Sequence, residues 1–154
     1  MGNKKEKIFN NLFNLLEENQ KLSLPIKVSK GTVKEDWIDY NRHMNMAYYV
    51  QCFEESSDYL LENLNLGYRY AIEEQKGVFV IKCEINYRKE IKLRENFIIS
   101  LEEIILDGKK LTVGLKMLNE NNETLADYKI LNLNVDLNTK KSITFSTEIT
   151  AQLT

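Results

Sequence analysis

The sequence predicts an α+β fold in which one long helix lies on a curled antiparallel sheet. Three observations predict it: residues 46–64 carry an apolar stripe at helical spacing, the chain beyond residue 77 alternates with the period of half-buried strands, and turn signals separate those strands at short intervals. A single amphipathic helix beside several hairpin-joined strands buries its stripe by packing on the apolar face of the sheet.

Length and composition bound the answer. A chain of 154 residues is one domain by its length and can bury a core without disulfides or metals. With 43% hydrophobic and 29% charged residues it has the composition of an ordinary globular protein. Lys+Arg 21 against Asp+Glu 23 leaves a formal net charge of -2, so no whole-molecule field invites nucleic acid or anionic lipid, and neither is expected as a partner. No apolar run is long enough to span a membrane. The lysine-rich start passes into an amphipathic stretch and not into the apolar core of a signal peptide. Cys52 and Cys83 lie far apart without metal-ligand spacing, which fits reduced thiols and a cytoplasmic location.

Taken in order, Ile8, Phe9, Leu12, Phe13, Leu15 and Leu16 recur at intervals of three and four, which predicts an amphipathic helix over residues 4–20. That helix forms an extension, residues 1–24, ahead of a main domain at 25–154, with Pro25 at the boundary. Residues 26–33 alternate as a first strand. Asn45 is placed to cap the helix of residues 46–64, whose stripe is Met46, Val50, Phe53, Ser57, Leu60, Leu61 and Leu64, and Gly67 is placed to stop it. Phe79 to Tyr87 and Phe97 to Leu106 read as strands, Asp107-Gly108 as a hairpin turn, Leu111 to Met117 as the returning strand, and residues 119–123 as the next turn. In the long strand 124–137 the apolar phase moves from Ala126, Tyr128 and Ile130 to Leu131, Leu133 and Val135, which predicts a β-bulge near residues 130–131. Residues 142–146 read as a short last strand.

The chemistry concentrates between Trp37 and Tyr49, where Asp39, Asn41, Arg42, the single His43 and Asn45 fall within seven residues directly ahead of the long helix. Such a carboxylate lies beside backbone N–H groups that carry partial positive charge, the pairing needed to attack a carbonyl and hold the oxyanion. By itself an Asp here also fits a plain turn or cap, and one His with no nucleophile-elbow glycines makes no catalytic triad. One His and two Cys fall short of a metal-ligand set, so no metal is expected.

The run Asp39-Tyr40-Asn41-Arg42-His43-Met44-Asn45, followed by Met46-Ala47-Tyr48-Tyr49, together with the order of elements, resembles the hotdog-fold acyl-CoA thioesterases of the 4-hydroxybenzoyl-CoA thioesterase type, and within them the betainyl-CoA thioesterase-like members. Their signature is Asp, two variable residues, Gly, His, a variable residue and Asn; Arg42 stands where the family has Gly. The resemblance covers roughly residues 26–144. It implies a hotdog fold, a long central helix wrapped by a curled sheet, that hydrolyses a small or medium acyl-CoA to free acid and CoA. Asp39 would act as nucleophile or as the base for a water, with His43 and Asn45 orienting the turn or the acyl group. Asn41, Arg42, Met46, Tyr49 and Arg88, with Lys89 near the phosphates, would contact the substrate. No cofactor is implied beyond the CoA of the substrate, and the partner is a second copy of the chain, in a homodimer or homotetramer with sites shared between subunits. Glu54, two turns into the central helix, is the substitute acid. The alternative is a non-catalytic hotdog domain that binds acyl-CoA or another apolar ligand as sensor or carrier. Arg42 favours it, because Gly at such a turn supplies a backbone angle closed to other residues.

Overall fold

The computed structural model describes residues 11–18 and 20–153. Among them, one antiparallel sheet is built from β1 (Phe13–Asn14), β2 (Ile26–Thr32), β3 (Lys76–Tyr87), β4 (Asn96–Asp107), β5 (Lys110–Asn119) and β6 (Thr124–Asp136), in the spatial order β1-β2-β4-β5-β6-β3. The central helix α1 (Met46–Asn63) lies in the concave face; α2 (Tyr68–Glu73) and α3 (Thr147–Leu153) are short. Phe97, Ile99, Leu101, Val113, Leu115, Met117 and Ile130 point inward from the strands and are buried against Phe53, Leu60 and Cys52 of the helix. Register shifts at Lys27/Ser29, Val80/Lys82, Leu101/Glu103 and Met117/Leu118 add the local bends that let the sheet curl around α1. No helix among the described residues is long and apolar enough to cross a membrane.

The predicted helix over residues 4–20 is not present in its described part. Residues 11–18 are non-helical instead, with Phe13 and Asn14 paired as a short strand to Lys30 and Ser29 of β2, and with Leu12 and Leu16 buried in the core. Residues 1–10 and 19 lie outside the described residues. The apolar residues that suggested a helix are divided between the core and solvent: Phe13 is 65% exposed, with the Lys30 ammonium 5.3 Å from its ring centre.

α1 ends at Asn63, four residues before Gly67. Asn65 adopts φ 59, its N–H bonds to the Glu62 carbonyl, and the Leu66 N–H bonds to the Leu61 carbonyl, so Asn supplies the left-handed stop expected of Gly. Gly67 instead precedes α2, where any Cβ would lie 2.2 Å from the Glu62 carboxylate that accepts the Tyr68 N–H.

The bulge predicted near residues 130–131 is absent from β6 there; the extra residue that β6 carries is Leu125, opposite the Met117–Leu118 step of β5. From Ala126 to Asn134 β6 keeps its phase, and its inward positions beyond Ile130 are Asn132 and Asn134, 2% and 1% exposed, while Leu131 and Leu133 face outward. Near residues 130–131 the extra residue lies on the partner strand, at Ile81 of β3. Both asparagines are hydrogen-bonded: Asn132 Nδ2 donates to the Leu111 carbonyl at 3.1 Å, and Asn134 Oδ1 accepts from the Tyr70 hydroxyl at 2.7 Å. The predicted last strand is reduced to one bridge, Val135 to Ser142, and is followed by α3, which the sequence pattern did not announce.

β3 is one edge of the sheet. Phe79, Val80 and Ile81 on it are 46%, 48% and 52% exposed, a run of apolar side chains along an unpaired edge.

Removing the Tyr70 hydroxyl leaves Asn134 Oδ1 buried without its donor. Tyr70→Phe is therefore expected to destabilise the fold by about 1–3 kcal/mol, read from the urea midpoint at unchanged m-value.

Candidate active site

The chain approaches α1 through a short 3-10 turn, Glu35–Trp37, and a tight loop at residues 38–44. Trp37 is 2% exposed, stacked on Tyr48 with ring centres 5.6 Å apart and tilted against Phe97, which fixes the base of the loop to the core. Ile38 and Met44 pair as an antiparallel bridge, the Asp39 N–H bonds to the His43 carbonyl, and the Arg42 N–H bonds to the Asp39 carbonyl at 2.9 Å. Closing so short a loop places Arg42 at φ 65.

The Asp39 carboxylate is held at both oxygens. Oδ1 accepts the Asn41 N–H at 2.8 Å and Oδ2 accepts Asn45 Nδ2 at 3.3 Å. Asn45 is the N-cap of α1, as the sequence predicts; its Oδ1 accepts the Ala47 N–H at 2.9 Å. The Met46 N–H, first of the helix, has no acceptor among the described residues. A half-buried carboxylate and an open helix-terminal donor thus adjoin the same cap, the first through a hydrogen bond and the second through a peptide bond.

Two clefts flank the loop. One, about 460 Å³, is lined by Asp39, Asn45, Ala47, Tyr48, Gln51 and the 3-10 turn. The other, about 280 Å³, lies between His43, Met46, Tyr49 and the end of β3 at Tyr87 and Arg88. The sequence-predicted residues are therefore divided: Asp39, Asn41 and Asn45 form one hydrogen-bonded group, while His43, Met46, Tyr49 and Arg88 face the second cleft. Arg42 is exposed at the tip of the loop and lines neither. A larger cleft of about 670 Å³, between Asn11, Phe13, Lys30 and Phe97, shares no residue with either of these.

Several predicted contacts already have partners. His43 Nε2 lies 2.6 Å from a Glu90 carboxylate oxygen, Arg88 pairs with Asp127, and Lys89 with Glu123 at 2.5 Å. Tyr49 is 5% exposed and meets the Tyr87 ring edge-on; burial pushes its hydroxyl above the usual tyrosine range. Glu54, the substitute acid, accepts from the Tyr128 hydroxyl at 2.6 Å and lines neither cleft. Burial, then the Glu54 and Cys83 neighbours, raise the Tyr128 hydroxyl far above its usual value, so it stays protonated and keeps donating. The sequence reading missed Glu90 and Gln51. Gln51 was visible only as the residue one turn after Ala47, on the helix face that the cap and Asp39 share.

A family model of the thioesterase-like superfamily matches residues 33–153, from the 3-10 turn through the last helix. The chain belongs to that superfamily. Among its relatives, the L-carnitine dehydrogenase/betainyl-CoA thioesterase of Agrobacterium fabrum is 25% identical over 77% of this chain and 24% of that protein. The betainyl-CoA thioesterase of Pseudomonas aeruginosa is 25% identical over 79% of this chain and 77% of that protein. The chain thus spans about a quarter of the length of the two-function relatives. A Staphylococcus aureus protein solved in complex with CoA superposes with TM-score 0.78 and 20% identity, covering 88% of this chain and 85% of that one. The hotdog fold expected from the sequence is therefore the fold of this thioesterase-like chain.

Arg42 stands where the resemblance places Gly, and its backbone takes the left-handed angle that Gly would take. Relief of that angle, about 1–2 kcal/mol, is partly offset by the greater freedom of Gly in the unfolded chain, so Arg42→Gly is expected to stabilise the thioesterase-like domain by roughly 0.5–1 kcal/mol. Thermal melts of the two proteins at equal concentration check this.

Proposed function

We propose that the protein is an acyl-CoA thioesterase that hydrolyses a small or medium acyl-CoA to free acid and CoA. The observation that carries this reading is the Asp39 carboxylate, fixed by Asn41 and Asn45, in a cleft at the start of α1, with an open N–H on Met46, the residue that follows the Asn45 cap. A thioester carbonyl over the helix start would place its developing oxyanion on that donor, with the carboxylate beside the carbonyl carbon. Membership of the thioesterase-like superfamily, and relatives named for betainyl-CoA thioester hydrolysis, support the same chemistry. The reaction needs no metal and no cofactor beyond the CoA that the substrate carries. The setting proposed is cytoplasmic, in keeping with two free cysteines, one of them exposed.

Arg42 no longer favours the binding-only alternative. The loop closes with Arg in the left-handed angle and keeps both hydrogen bonds to Asp39. Thiol release from a panel of acyl-CoA thioesters tests the hydrolase reading directly: Asp39→Asn is expected to lower kcat by about 10²–10⁴-fold. A melting shift with CoA but no thiol release from any thioester would select a binder.

The active form proposed is a homodimer, alone or paired into a tetramer, joined edge to edge through β3. Its support is the unpaired edge with Phe79, Val80 and Ile81 exposed along it. Light scattering is expected to give at least twice the 18.1 kDa of one chain. A Phe79→Glu/Ile81→Glu variant should shift it to the monomer with loss of activity; a monomeric and fully active wild type would sink the shared-site arrangement.

A further inference from the structure

Gln51 lies on the wall of the Asp39 cleft, one helical turn beyond Ala47, and its side chain is fixed from behind. Its Nε2 donates to Glu55 Oε1 at 3.2 Å. Glu55 is only 1% exposed, and the same oxygen also accepts Asn11 Nδ2 at 3.2 Å. Asn11 Oδ1 in turn accepts the Lys34 ammonium at 2.7 Å. The second Glu55 oxygen, Oε2, is buried with no hydrogen-bond partner among the described residues. A carboxylate only accepts, so Glu55 takes the NH₂ end of the Gln51 amide and turns the amide oxygen away from itself. Gln51 is itself exposed, on the stretch of helix that lines the cleft.

The cleft therefore carries two acceptors, each anchored separately. Each Asp39 oxygen spends one lone pair, on the Asn41 N–H and on Asn45 Nδ2, and keeps another. Gln51 contributes an amide oxygen whose orientation Glu55 sets. A water molecule has two protons to donate, and it attacks a carbonyl well only when both are directed away from the electrophile.

We propose that the Asp39 carboxylate and Gln51 Oε1 together hold the attacking water, and that Glu55 is the positioning residue that fixes the Gln51 amide; this rests on the hydrolase reading above. The water oxygen adds to the thioester carbonyl carbon and passes one proton to Asp39, while its other proton stays on that oxygen and donates a hydrogen bond to Gln51 Oε1. Collapse of the tetrahedral adduct breaks the C–S bond. The electron pair leaves on sulfur, which takes the proton from Asp39, so the products are the free acid and the CoA thiol and Asp39 returns to its carboxylate. Glu55 touches neither water nor substrate. Its second oxygen, unpartnered among the described residues, is the cost of burying a carboxylate to orient one exposed amide.

The test is a double-mutant cycle on the full chain, using the best-cleaved thioester of the panel, with kcat, KM and the melting temperature of each protein. Gln51→Leu is expected to lower kcat by about 10–100-fold and leave KM within about threefold, since it removes an interaction made with the reacting water. Glu55→Gln is expected to lower kcat by a smaller factor, and the double variant should match Gln51→Leu, because Glu55 acts through Gln51. In a single turnover in ¹⁸O-water the label should enter the product acid and not Asp39. Unchanged kcat in Gln51→Leu, a rise in KM alone, additive losses, or label in Asp39 each overturns the inference. If Glu55→Gln does not fold, Gln51→Leu, altered at an exposed position, still decides. A wild-type protein that releases no thiol from any thioester sinks the hydrolase reading itself, which is a different result from an active wild type with an indifferent Gln51.

Discussion

The side chain of Asn45 joins two requirements that would otherwise be met separately. Its Oδ1 caps α1 through the Ala47 N–H, and its Nδ2 holds Asp39 Oδ2, while its own N–H bonds to the Trp37 carbonyl at 2.9 Å. Helix start, loop and acid are thereby set by one amide. Asp would cap as well but would place a second carboxylate against Asp39, and Ser would cap without reaching it. The chemistry proposed for the cleft depends on this: the acid and the open helix donor keep a fixed separation because the same residue defines both.

The helix that carries this cap is covered on its sheet face and along one flank. The sheet buries Phe53 and Leu60, and residues 11–18 run along a polar flank of α1: Asn11 meets Glu55, the Leu12 carbonyl accepts the Tyr59 hydroxyl at 3.1 Å, and the Glu17 carbonyl accepts Asn63 Nδ2. Ser29 and Ser56 bond at 2.6 Å beneath them. This segment acts as a strap over polar side chains that an apolar sheet could not satisfy. Through Glu55 and Gln51 it also reaches the wall of the Asp39 cleft, so hydrogen bonds run from Asn11 to a residue lining that cleft.

What the sequence revealed and what it hid divide along physical lines. The central helix, its Asn45 cap, the hairpin at Asp107-Gly108 and the main strands were legible because each follows from local spacing and turn chemistry, and Gly108 does take φ 61. The reading failed where burial ignored polarity. Asn132 and Asn134 occupy core positions, so an apolar pattern that skipped them looked like a change of phase. It failed again at residues 11–18, where helical spacing was a coincidence of residues shared between strap, core and solvent. At the site, Asp39 and Asn45 were legible from their adjacency to the helix. The pairing of His43 with Glu90, and of Gln51 with Glu55, depended on how the fold returns β3 and the strap to the helix.

The departure at Arg42 carries less weight than the motif alone suggests, and the reason lies elsewhere in the chain. Six non-glycine residues among those described have positive φ, namely Arg42, Asn65, Gln75, Arg94, Asn122 and Lys140. Asn accepts that angle readily, whereas Gln75, Arg94 and Lys140 pay for it as Arg42 does. A long polar side chain at a left-handed turn is therefore a habit of this sequence. In the hydrolase reading we propose, what matters is the set of hydrogen bonds on Asp39. Those bonds come from the Asn41 backbone and the Asn45 side chain, neither of which depends on what residue 42 carries beyond its Cα.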